Sequence, residues 1–156
     1  MANFATKEQT LATRSHRRTS IVDVPELGYS YILLELSGKE RDAFEASLIN
    51  RAKNGSQQGI NLQNLRAKLV ARSVVNPEDF NIEEHNGVAI SATLLPDHKP
   101  TRMFNEIEAN DLGDISASAL QRLFKAAQAL SGISEDDVEE MVGDLKNDQN
   151  GVSGTS

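Results

Sequence analysis

The chain has 156 residues, 38% of them hydrophobic, 4% aromatic and 25% charged, with a formal net charge of −7; that length carries one domain with a modest core. The absence of cysteine excludes disulfides, thiolate metal sites and cysteine nucleophiles, and points to a reducing cytosol. Its longest strongly apolar run, residues 31–34, is far below the roughly 18 residues of a membrane span, and the first ten residues lack the charged-then-apolar order of a signal peptide, so neither membrane insertion nor secretion by that route is expected.

Charge is unevenly spread. Residues 1–102 hold 13 Lys/Arg against 12 Asp/Glu, whereas residues 103–156 hold 3 against 11. Within the neutral part, residues 46–76 carry Arg51, Lys53, Arg66, Lys68 and Arg72 with no acid at all. Such a stretch reads as a solvated helix face or a mate for the acidic helices. The aromatic and glycine signature of an RNA or single-strand binder is missing and the overall charge repels phosphate, so no nucleic-acid partner is expected.

Residues 1–18 are polar and without periodicity, and are expected to be flexible. A hairpin follows: Ile21, Val22 and Val24 lead into the turn Pro25-Glu26-Leu27-Gly28, and residues 29–36 are rich in β-branched, aromatic and leucine residues. Ser37 and Glu40 have the spacing of a capping box, which predicts a helix carrying Ala43, Phe44, Leu48, Ile49 and Ala52 on one stripe and ending at Asn54-Gly55. A second helix is expected over 62–75, closed by Pro77. In residues 76–102 the alternating run Val88, Ile90, Ala92, Leu94 predicts a strand, which extends the N-terminal hairpin to three strands if it joins it.

Asn105 with Glu108 predicts a short helix through 110. Asp114 or Ser116 caps the next, whose Leu120, Leu123, Phe124, Ala127 and Leu130 form a strongly amphipathic stripe that Ser131-Gly132 interrupts. Ser134 and Asp137 cap a final helix with the stripe Val138, Met141, Val142 and Leu145, and residues 147–156 are expected to be disordered. The fold class is therefore α+β and mainly α-helical. A single domain over 19–146, with the segment 76–102 as an insert, packs a small N-terminal hairpin against about five helices.

Catalytic signals are few. His16, His85 and His98 form no metal-binding pair, the glycines are isolated rather than grouped into phosphate-binding loops, and no G-x-S-x-G is present. The carboxylate pairs Asp136-Asp137 and Glu139-Glu140 lie on an acidic exposed stripe, where they stay hydrated. No catalytic residue, cofactor or metal is expected.

Three segments carry a resemblance. LSGKERDAFEA at 36–46, NLRAKLVA at 64–71 and LGDISASALQRLFKAAQALSGISEDDVEE at 112–140 resemble the tail assembly chaperones of long-tailed, lambda-like bacteriophages. The resemblance runs over about 21–146 and breaks at 76–102, where relatives have only a brief turn. It implies a non-enzymatic protein of the host bacterial cytoplasm that binds the tape-measure protein, keeps it soluble and is absent from the finished virion. It further implies recruitment of tail-tube subunits through an extended, frameshifted form. Leu120, Leu123, Phe124, Val138, Met141, Val142 and Leu145 are then the candidate partner-binding stripe, helix in groove, unless they are simply core. The competing readings are a tail or head-tail connector component retained in the virion, and a small DNA-binding regulator using 66–72.

Overall fold

Apolar alternation at the start of the domain builds the first sheet. In the computed structural model, which describes residues 2–51, 58–60, 64–133, 136–137 and 140, β1 (Thr19–Val24) pairs antiparallel with β2 (Tyr29–Leu34), from Thr19↔Leu34 to Val24↔Tyr29. The intervening residues turn tightly, with the Leu27 and Gly28 amides both donating to the Val24 carbonyl at 3.0 Å. Leu33 turns one way into the main core, while Ile32 and Leu34 turn the other way into a second, smaller cluster with Val75 and Phe80. Burial on both faces explains why residues 31–34 are uninterruptedly apolar.

The helices cover one face of this sheet. α2 (Gly38–Ser47) begins at the Ser37–Glu40 capping box, in which each side chain accepts the other residue's backbone N–H. α3 (Leu65–Ser73) buries Ala67, Leu69 and Val70, and runs directly into β5 (Val74–Val75). After α4 (Glu108–Leu112), α5 (Ala117–Ser131) starts with Ser116 as its cap, the Ser116 hydroxyl accepting the Ala119 amide at 3.4 Å. Gly132, at φ 68, closes it in the left-handed region that suits glycine. α5 packs on α3 and against β1 and β2, so Leu33, Phe44, Leu69, Val74, Leu123 and Phe124 share one core. Burying a side chain of that size stabilises by roughly 1.5–3 kcal/mol.

Contacts distant in sequence hold α5 to the sheet. Arg18 donates to the Leu130 carbonyl at 2.8 Å, the Leu36 amide donates to the Ser131 hydroxyl at 3.1 Å, and Arg122 grips the Glu26 carboxylate with its closest bond at 2.6 Å.

A mainly helical chain with one small hairpin is corrected by these strands. Among the described residues seven strands form three antiparallel sheets, in an α+β arrangement. The third strand beside β2 is β5, through Ile32↔Val75 and Leu33↔Val74, and not the run 88–94. That run is β7 (Val88–Leu94), and it pairs with β6 (Phe80–His85). Asn86 and Gly87, at φ 53 and 78, supply the doubly left-handed turn that sends the chain straight back on itself, so the nearest strand captures β7 first.

The first helix is also shorter than its stripe suggests. The Ser47 hydroxyl donates to the Phe44 carbonyl at 2.6 Å at the helix end, and β3 (Ile49–Arg51) then pairs with β4 (Gln58–Ile60). At the N-terminus, within the segment expected to be flexible, α1 (Lys7–Ala12) forms on a Thr6–Gln9 capping box and buries none of its residues. The expected tail 147–156 lies outside the described residues. So does the expected last helix, apart from residues 136–137 and 140.

Candidate functional site

The second apolar cluster opens to one side. Where the β6–β7 hairpin leans over β1 and β2, Phe80, Ala92, Leu94 and Leu34 floor a cleft of about 1150 Å³. Ala126, Ala129 and Leu130 on α5 form one wall, and residues 95–100 form the other. The Thr19 hydroxyl donates to the Ala92 carbonyl at 3.2 Å, tying the hairpin to β1 at the base.

The rim is basic. Arg14, His16, Arg17, Arg18, His98 and Lys99 line it, against the single carboxylate Asp97. Two of the arginines are anchored. Arg17 pairs with Glu40 and donates to the Glu35 carbonyl at 3.1 Å, and Arg18 pairs with the Glu35 carboxylate at 3.0 Å. Burial alone would raise the Glu40 carboxyl, but the Ser37 amide and hydroxyl together with the Arg17 charge outweigh it, and the group titrates below the ordinary glutamate range. The Arg18 hydrogen bonds likewise hold Glu35 low.

Asp79 fixes the outer wall. Its carboxylate accepts from the Thr101 hydroxyl at 2.7 Å and the Thr101 amide at 3.1 Å, and its other oxygen lies 3.2 Å from His98 Nδ1. The Leu95 amide donates to the Asp79 carbonyl at 2.9 Å. The Thr101 hydrogen bonds and then His98 draw the Asp79 carboxyl below its ordinary value. A four-residue turn bounded by Leu95 and His98, with Pro96 inside it, is thereby held in one shape against the floor.

The described part of the expected partner stripe, Leu120, Leu123 and Phe124, falls elsewhere. Leu123 and Phe124 are 2% and 4% exposed and sit in the main core, and Leu120 packs against it. Among the described residues this face of α5 is spent on the fold, and it is the neighbouring face with Ala126 and Ala129 that borders the cleft. Val138, Met141, Val142 and Leu145 lie outside the described residues. The basic stretch is partly consumed internally. Arg66 stands 5.6 Å over the Phe124 ring, Lys68 donates to the Ser47 carbonyl at 3.2 Å, and Arg72 pairs with Glu106 at 3.0 Å. The side chains of Arg51 and Lys53 lie outside the described residues.

A smaller hollow of about 330 Å³ lies near Lys68, Arg72, Arg102 and Glu106. Among the described residues, no three His, Asp or Glu side chains converge as a metal site, and no helix is long and apolar enough to cross a membrane. Comparison of the chain with protein-family models, curated proteins and solved structures found no match.

Proposed function

We propose that the protein is a tail assembly chaperone of a long-tailed bacteriophage. It works as a binding protein in the host bacterial cytoplasm rather than as an enzyme. It holds the tape-measure protein in solution, passes it to tail-tube subunits through an extended form, and leaves before the virion is complete. The resemblance of residues 36–46, 64–71 and 112–140 supports this reading, and the observation that carries it furthest is the cleft. An open trough with an apolar floor and a polar rim takes the apolar stripe of a helix and leaves the polar face wet, which suits a long helical client that would otherwise aggregate.

The test is co-expression with the tape-measure protein of the same phage. The client is expected in the soluble fraction with the wild-type chain, and in the pellet without it or with Ala129→Trp, which fills the cleft from an exposed helix position. A client equally soluble in all three cases would overturn the proposal. Mass spectrometry of purified particles separates the remaining alternative: a chaperone is absent, whereas a retained tail or connector component is present in many copies.

A further inference from the structure

We propose that the cleft selects an acidic, amphipathic helical segment; the proposal rests on the reading of the cleft as the client-binding surface and specifies its ligand class. Shape comes first. Ala126 and Ala129 are one helical turn apart on α5 and their side chains stop at Cβ, so a second helix can approach α5 to roughly 8–10 Å. The cleft, at about 1150 Å³ and open on one side, admits the inward face of such a helix while its polar face stays in water. Ala92, Leu94 and Leu95, each partly exposed, then receive its apolar stripe, while Phe80 and Leu130 are themselves buried at 6% and 8% exposure.

Charge decides which helix. Arg17 and Arg18 are held by Glu40 and Glu35, but among the described residues Arg14, His16 and Lys99 make no ion pair, and Arg14 is bonded only to the Leu11 carbonyl. A client carboxylate therefore meets Arg14 and Lys99 without first breaking a pair, whereas a client lysine meets only Asp97. The net charge of −7 works the other way and favours basic clients at long range. With screening over about 8 Å at physiological salt, the rim side chains in contact outweigh that distant field. Residues 80 and 92–100 supply the outer wall and Lys99, whereas Arg14 and His16 come from the residues before β1, so the selectivity is shared between the segment where this chain departs from the resemblance and the N-terminal residues.

The experiment uses the full chain and two labelled helical peptides of about 14 residues, sharing one leucine stripe and carrying either Glu or Lys on the polar face, read by fluorescence anisotropy at about 150 mM salt. The Glu peptide is expected to bind at least about tenfold more tightly, with a difference that shrinks as salt rises. Arg14→Glu combined with Lys99→Glu should remove the preference, and Ala129→Trp should remove binding of both peptides, with circular dichroism and melting confirming that each variant is folded. Equal binding, a Lys preference, no binding of either peptide, or a Glu preference that survives the charge variant would overturn the selectivity. Failure of the function reads out separately. A Glu preference without rescue of the tape-measure protein leaves the cleft's selectivity standing and removes its assignment to that client, whereas rescue with a Lys preference does the reverse.

Discussion

Gln128 is 6% exposed, and among the described residues its buried side-chain Nε2 has no hydrogen-bond partner. Leaving a buried amide N–H unpaired costs about 1–3 kcal/mol, so Gln128→Leu, which keeps the volume and removes the donor, is expected to raise the melting temperature. Phe124, on the same helix, sets the opposite expectation. It fills the junction of α3 and α5 beneath Arg66, and Phe124→Ala should destabilise by about 3–5 kcal/mol in denaturant titration. Acid should act through Asp79 and Glu40. Both carboxyls titrate below their ordinary values of 3.8 and 4.5 in the folded protein, so their contribution is complete above those values and is lost as pH falls through the lower folded ones. Melting should therefore be flat above about pH 5 and decline below about pH 4. Asp79→Asn should shallow that decline and speed amide exchange at Thr101, whose N–H Asp79 accepts.

At the scale of elements, the β6–β7 hairpin is the part most exposed to a single change. Gly87 sits at φ 78 in a two-residue turn, where a β-branched side chain is strained, so Gly87→Val is expected to cost about 1–2 kcal/mol and to raise exchange in residues 80–94 before the α5 amides respond. Elements written in local chemistry were legible in the sequence. The Ser37–Glu40 box, the reciprocal Asn105–Glu108 hydrogen bonds and the Gly132 stop each depend on residues a few positions apart. The partner of 88–94 was legible too, in Asn86-Gly87 between two runs of strand-forming residues, but alternation alone says that a strand exists and not which edge it joins. β5 was not legible, because two valines at the end of a helical stripe become a strand only when β2 is alongside. The cleft was out of reach for the same reason. Its walls come from residues 14–20, 92–100 and 126–130, and the stripe read as partner-binding shares its periodicity with any core helix.

For the whole molecule, the order in which the chain is made matters. The hairpin of the first sheet is laid down from residues 19–34 and β5 joins it at 74–75, yet the helix that shields its inner face ends at Ser131, and the Arg18–Leu130 bond joins positions 112 apart. A ribosome that has delivered β1, β2 and α2 has therefore delivered a sheet with Leu33 and Val24 bare, and no nearer segment supplies Leu123 or Phe124 to cover them. Folding of this domain waits on translation of its last third, so a stall or stop codon before residue 117 leaves an adhesive fragment rather than a smaller stable protein.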